Sequence, residues 1–235
     1  MVSKIPKSSK SVFPIIRDIL HLGWVEIPNM FHGTGAPGNT LEYLIDIDPN
    51  NNDSPDLQDW ELKFHGGRSN LLTLFHKEAQ PKGIMDVMVD DFGWEDQHGR
   101  ISFRHTISGQ SERGFRVINT NNKIIVLNDF EDDFEAYWDH NILIGQLAAK
   151  LRRLIIVHGQ YDRKNRIVIF RSAIAYWEPD LIGFCHAIEK GIILIDFDAR
   201  TTEGRGTSLR NHGTKFRIRI ENIGTIYKNS EVILP

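Results

Sequence analysis

Trp60-Glu61-Leu62-Lys63-Phe64 constrains the fold of this chain more than any other stretch. Its charged residues alternate with large apolar ones, and side chains two apart on a strand point to the same face. The pattern predicts a strand that presents Glu61 and Lys63 on one face and buries Trp60, Leu62 and Phe64 on the other. Ahead of it runs Asn50-Asn51-Asn52-Asp53-Ser54-Pro55, residues that favour turns and disfavour helix. A turn there folds Asp56 back beside Glu61.

Two carboxylates and an amine brought together point to one chemistry. Hard carboxylate oxygens suit Mg²⁺, which usually keeps several waters and binds substrate phosphates. Such a metal lowers the pKa of a bound water and neutralises charge on phosphoryl oxygens, while a lysine ammonium adds a point charge beside the nucleophile. The implied reaction is hydrolysis of a phosphodiester. The ordinary alternative stays open on these residues alone, because Glu-x-Lys on an amphipathic strand is common on solvated sheet faces.

The rest of the chain reads as alternating helices and strands. Pro14 at a first helical turn, followed by Ile15, Ile16, Ile19 and Leu20, predicts an amphipathic helix ending near Gly23. A glycine-rich loop from Met30 to Gly38 then enters a helix bearing Glu42. Residues 70–77 read as a strand that Pro81-Lys82-Gly83 terminates. Thr120-Asn121-Asn122 is a hairpin turn between strands 115–119 and 123–127. A helix over 142–151, a buried strand at 154–157 and a turn at 163–165 into a strand at 167–170 follow. A helix from Asp180 to Lys190 stops at Gly191, and a strand over 192–197 comes next. A polar loop, Thr201 to Arg210, leads into a last strand over 214–220. These alternations favour an α/β or α+β domain with a mixed sheet flanked by helices.

The 235 residues, 40% of them apolar, suit a single domain of two lobes with a large core. No run approaches the roughly 20 apolar residues of a membrane helix, and the N-terminus lacks a signal peptide's apolar core, so a cytoplasmic protein is expected. The single Cys185 excludes an internal disulfide, and no Cys pair or His-x3-His spacing suggests zinc. A net charge of −3 averages over faces of opposite sign. Acid gathers at Asp129, Glu131, Asp132, Asp133 and Glu135, and base at Arg200, Arg205, Arg210, Lys215, Arg217 and Arg219. A second basic group is Lys150, Arg152, Arg153, Arg163, Lys164 and Arg166. For either basic group a solvated face is the plain alternative to a DNA surface.

Asp56-Leu57-Gln58-Asp59-Trp60-Glu61-Leu62-Lys63, followed by Ser69-Asn70-Leu71-Leu72-Thr73-Leu74-Phe75-His76-Lys77, resembles the MvaI/BcnI family of restriction endonucleases. These are PD-(D/E)xK nucleases similar to the repair nickase MutH. Gly38-Asn39-Thr40-Leu41-Glu42, His105 to Gly109, Cys185 to Gly191 and His212 to Ile218 follow in the family's order. The resemblance implies a MutH-like restriction-endonuclease fold shaped as a two-lobed clamp, with residues 1–175 mainly catalytic and 176–235 mainly DNA recognition. It implies that Asp56 and Glu61, with the Leu62 carbonyl, hold Mg²⁺ and that Lys63 holds or polarises the attacking water. Glu42 matches a further acidic residue of the family, which the resemblance implies is catalytic and reaches the metal site from its helix. Its alternative is a first-turn helix glutamate favoured by the dipole. His76 matches a histidine of the BcnI branch, and the resemblance implies a supporting residue of the catalytic centre. By period two it shares a face with Leu72 and Leu74, so a buried, hydrogen-bonded histidine is the competing reading.

The loop and strand at the end of the chain read as the base-reading element. Arginine donates two hydrogen bonds to guanine in the major groove. Arg217 matches a base-reading arginine of the family, His212 a nearby histidine, and Asp196 an acidic position suited to accept from cytosine. Arg205, Arg210 and Lys215 complete the expected DNA contacts. The chain departs from the MvaI branch at Asp198, where that branch has an arginine. The resemblance implies double-strand cleavage by a monomer that nicks each strand of double-stranded DNA in turn, at a short site of two C and two G around a central base. A cognate DNA methyltransferase is the expected companion. The alternatives are a MutH-like mismatch-repair nickase and a catalytically silent DNA-binding module.

Overall fold

The computed structural model describes residues 5–45, 57, 59–67 and 70–234. In chain order the first half contains α1 (Ser9–Leu20), β1 (Trp24–Glu26), α2 (Ala36–Leu44), β2 (Glu61–His65), β3 (Leu71–His76), α3 (Ile84–Phe92), β4 (Trp94–Glu95), β5 (Ile101–Ile107), β6 (Phe115–Asn119) and β7 (Lys123–Asn128). The second half contains β8 (Glu135–Asp139), α4 (His140–Lys150), β9 (Arg153–Asp162), β10 (Ile167–Pro179), α5 (Leu181–Glu189), β11 (Ile193–Thr201), β12 (Leu209–Asn211), β13 (Lys215–Arg219), a 3-10 helix (Ile220–Ile226) and β14 (Tyr227–Ile233). The fold is mixed α+β. The chain divides into two compact units that interleave along the sequence. One comprises Met1–Asn70, Gln146–Asp180 and Gly224–Pro235, the other Leu71–Gly145 and Leu181–Ile223. Residues 71–145, grouped on sequence with the first lobe, thus cluster with 181–223.

In the first unit a mixed sheet runs β1-β10-β9-β2, with β14 also paired to β10. Only β2 is parallel to its neighbour, Glu61 lying beside Leu154 and Lys63 beside Ile156. The expected alternation of β2 is met on its apolar side. Leu62 is buried, Phe64 packs on the same core, and Trp60, 0% exposed, stacks edge-on against Phe13 at 5.6 Å. The Trp60 indole N–H donates to Ser8 Oγ at 3.0 Å, so a tertiary contact engages the hydroxyl at the start of α1. A buried tryptophan of this kind is worth about 3–5 kcal/mol against alanine. β9 is buried from Leu154 to Val157, as its unbroken apolar run requires.

α1 corrects the expectation for Pro14. The helix begins at Ser9, over an opening turn in which Ser9 N–H donates to the Pro6 carbonyl, and Pro14 lies in its interior. The proline is tolerated because it sits on the solvent side with Lys10, whose carbonyl lacks the usual N–H donor but faces water. Val12, Phe13, Ile16, Ile19 and Leu20 form the buried stripe, whereas Ile15 is exposed.

The second unit has an antiparallel sheet in the order β3-β13-β11-β5-β4, with β12 on β11, and a three-stranded sheet β6-β7-β8. The expected hairpin is present, Thr120 N–H donating to the Lys123 carbonyl at 2.9 Å. Phe103, Phe115, Trp138, Phe184, Phe197 and Phe216 fill the core. Two of the sequence blocks meet here. α5 ends on Gly191 at φ +69, with Ile192 N–H returning to the Ala187 carbonyl at 2.9 Å. A Cβ on Gly191 would lie 2.6 Å from the Ser108 carbonyl carbon and 3.1 Å from Gly109 N. The glycines closing His105–Gly109 and Cys185–Gly191 therefore serve a close backbone approach.

His76 is not the buried histidine that period two suggested. A register shift in the β3–β13 pair between Phe216 and Arg217 leaves Leu74 as the extra residue, so Leu74 and Phe75 are both buried and His76 is turned outward. No helix of the described residues is long and apolar enough to cross a membrane.

Candidate active site

The hydrolytic centre read from the sequence falls in the first unit. Glu61 opens the edge strand β2 and is only 3% exposed, on the face opposite Trp60 and Leu62. A carboxylate is tolerated at such depth only when charge and hydrogen bonds compensate it. Lys63, two residues on, donates from Nζ to Glu61 Oε1 at 3.1 Å, as the shared face requires. A second ammonium, Lys150 Nζ at the end of α4, stands 4.0 Å from the same oxygen. The Tyr227 phenol lies near enough for burial, and then the Glu61 charge, to push its pKa far up. Its hydroxyl donates to the Leu151 carbonyl at 2.8 Å, tying β14 to the end of α4.

Glu42 lies on α2, which packs on β2, and the structure corrects its alternative reading. It stands in the last turn of the helix, where the dipole disfavours a carboxylate rather than welcoming it. The helix dipole thus offers no reason for Glu42, and it is half-buried. Asp56 and the turn before it lie outside the described residues. Further along β2, His65 faces His158 of β9, with ring centroids 5.4 Å apart. Burial, and then His65, lower the His158 pKa.

Whether these residues suit Mg²⁺ is a question of donors. Among the described residues no three His, Cys, Asp or Glu side chains converge on one metal position. Mg²⁺, however, commonly takes one or two carboxylates and completes its shell with water and phosphate. Glu61 supplies a hard oxygen donor, and two ammonium groups beside it add positive charge suited to a phosphate. The donor set fits Mg²⁺ shared with a phosphodiester.

The residues expected to read DNA lie in the second unit, with Asp196, Lys215 and Arg217 on one face of its larger sheet. Along β11, Ile195, Phe197 and Ala199 are buried, and Asp196, Asp198 and Arg200 point to the opposite face. Arg217 Nη1 is 3.3 Å from Asp196 Oδ2, and Thr106 donates to Asp196 Oδ1 at 2.7 Å. Lys215 Nζ stands 3.0 Å from Asp198 Oδ2 and 3.8 Å from Asp196 Oδ2. Arg104 Nε completes the row, 3.2 Å from Asp198 Oδ1. Arg200 and Arg210 face each other directly across β11 and β12, a like-charge arrangement that costs stability unless an anion offsets it.

His212 is exposed, its N–H donating to the Asp198 carbonyl at 2.8 Å. Arg205 is drawn aside, donating to the Asp90 carbonyl at 2.9 Å. Lys150, Arg104 and Thr106 were missed on sequence. Lys150 stood in a basic group with nothing to single it out, and Arg104 and Thr106 could be found only by knowing that β5 lies beside β11.

The profile of the MvaI/BcnI restriction endonuclease family matches residues 14–227. The chain belongs to that family. The match spans every site residue named above, in both units. Among solved structures, the restriction endonuclease MvaI in complex with cognate DNA is 25% identical, with 98% of this chain and all of that chain covered and a TM-score of 0.79. MvaI in the absence of DNA is 24% identical, covers 99% of this chain and all of that one, and gives a TM-score of 0.55. Comparison with curated proteins gives no match. The resemblance read from the short blocks and the mixed α+β fold are both borne out.

Proposed function

We propose that this member of the MvaI/BcnI family is a type II restriction endonuclease that hydrolyses phosphodiester bonds of double-stranded DNA with Mg²⁺. The observation that carries the reading is the buried Glu61 with Lys63 3.1 Å from its Oε1, on the strand the family match includes. Family membership and the likeness to a DNA-bound MvaI support DNA as substrate. The opposed Arg200 and Arg210 support contact with phosphates.

In this mechanism Asp56, Glu61 and the Leu62 carbonyl hold the metal. When bound, it supplies an activated water and charge neutralisation at the phosphoryl oxygens. Lys63 holds the attacking water beside the phosphorus and keeps a positive charge where negative charge develops. Glu42, carried on α2 against β2, orients the acidic side of the centre. Lys150 adds a second cation to hold the scissile phosphate. On the recognition face Arg217, Lys215 and Asp196 read base edges, Arg210 and Arg205 meet the backbone, and His212 supports the base contacts. The enzyme acts in the cytoplasm as a monomer, nicking each strand in turn at a short site of two C and two G around a central base, beside a methyltransferase that protects self DNA.

The experiment is incubation of the purified protein with unmethylated plasmid and phage DNA in Mg²⁺, with sequencing of the ends. Linear plasmid and discrete fragments sharing one short motif are expected. Open circles alone would favour a repair nickase, and intact DNA bound at a footprinted site would favour a silent binding module.

A further inference from the structure

We propose that Arg104, held by Asp198, is a second guanine-reading residue of this chain, acting beside Arg217. The inference rests on the proposed site-specific DNA cleavage and names a residue of the recognition face that the sequence did not mark. β11 carries two acids on one face, Asp196 and Asp198, which a strand spaces about 6.6 Å apart. Each holds one arginine from a neighbouring strand. Asp196 holds Arg217 of β13 at 3.3 Å, and Asp198 holds Arg104 of β5, its direct cross-strand partner, at 3.2 Å. Lys215 sits between the two pairs, within 4 Å of both acids. The result is a repeated arginine–aspartate unit on a rigid sheet.

A solvated ion-pair face would explain charges in such places but not their geometry. Exposed pairs contribute little to stability and need no particular chemistry. Here the ion-pair contact of Arg104 runs through Nε at 3.2 Å, and its two terminal nitrogens make no hydrogen bond among the described residues. These are the donors that a guanine O6 and N7 accept in a bidentate contact. Arg104 is also the most accessible cation of the row, its side chain 54% exposed against 25% for Arg217 and 20% for Lys215. Five side chains carry three positive charges and two negative ones, so the row is cationic before Arg200 and Arg210 are added. Asp198, where the MvaI branch has an arginine, thus orients a guanidinium that arrives from the neighbouring strand.

The test is selection of binding sites from a randomised duplex library, in Ca²⁺ to allow binding without cutting, with wild type, Arg104→Ala, Asp198→Asn and Arg217→Ala. Wild type is expected to select a motif containing guanines. Arg104→Ala is expected to lose roughly 5- to 150-fold of discrimination at one guanine position and to keep the rest. Asp198→Asn should broaden that same position, and Arg217→Ala a different one. Circular dichroism verifies folding of each variant. An unchanged motif for Arg104→Ala, or an equal loss of affinity on all sequences, overturns the proposal and leaves the cleavage reading standing. A wild-type protein that selects no motif overturns both, and all variants then behave alike.

Discussion

Replacing Lys150 by methionine removes one of the two ammonium groups at Glu61 Oε1 and keeps most of the apolar stem. At an effective dielectric near 20, the 4.0 Å contact is worth about 4 kcal/mol of gross attraction, against about 5 kcal/mol for Lys63 at 3.1 Å. Desolvation and about 2 kcal/mol of lysine rotamer entropy oppose that gain, leaving a net value of about 1 kcal/mol. Metal-free Lys150→Met is therefore expected to lose about 1 kcal/mol in urea unfolding. The same change removes a positive charge from beside the donor oxygen, so Mn²⁺ should bind the DNA-free protein about 5- to 10-fold more tightly in calorimetric titration. Cleavage should nonetheless fall, because the scissile phosphate loses a cation. Unaltered urea stability together with unaltered Mn²⁺ affinity would contradict an ammonium at that carboxylate.

Glu42→Gln should slow cleavage by about 10- to 100-fold with unchanged circular dichroism, and undiminished cutting would remove Glu42 from the centre. His105 and His158 titrate below the ordinary histidine value of 6.5, both mainly through burial, with Arg113 adding to the first and His65 to the second, while Asp196 partly opposes the first. The unfolded chain then binds more protons near that value, so this contribution is intact above pH 6.5 and is lost as pH falls below it. The Tm should drop between about pH 7 and pH 5, and less so in His158→Gln; an equal slope in the variant would argue against that source. Gly191→Ala combines a left-handed φ with a Cβ 2.6 Å from the Ser108 carbonyl and should cost about 2–4 kcal/mol. A near-neutral result by denaturation would contradict that backbone approach.

Strands with a clear period were legible in the sequence itself. Trp60 to Phe64 declared its buried and polar faces, the 115–127 hairpin its turn, and Gly191 the end of α5. Local signals failed where tertiary structure overrode them. Proline marked a helix start at residue 14, but the helix began earlier because its solvent side tolerates a missing N–H donor. Period two carried His76 inward until a bulge reversed it. The division of the chain was illegible for a different reason: residues 71–145 and 181–223 join through pairings such as β3 with β13 and β5 with β11, which no local pattern encodes. Within the site, Glu61 and Lys63 came from adjacent positions on one strand. Lys150 and Arg104 reach their carboxylates across 89 and 94 residues of sequence, and so needed the fold to be seen.

The central claim is that Glu61 and Lys63 form a hydrolytic centre for DNA. Single-turnover cleavage of a duplex carrying the mapped site, by wild type and Lys63→Met in Mg²⁺ with binding measured in Ca²⁺, tests it most directly. Specific binding is expected to survive while the cleavage rate falls by about a thousandfold or more, as when a group that acts in the transition state is removed. Cleavage by Lys63→Met at the wild-type rate would contradict it.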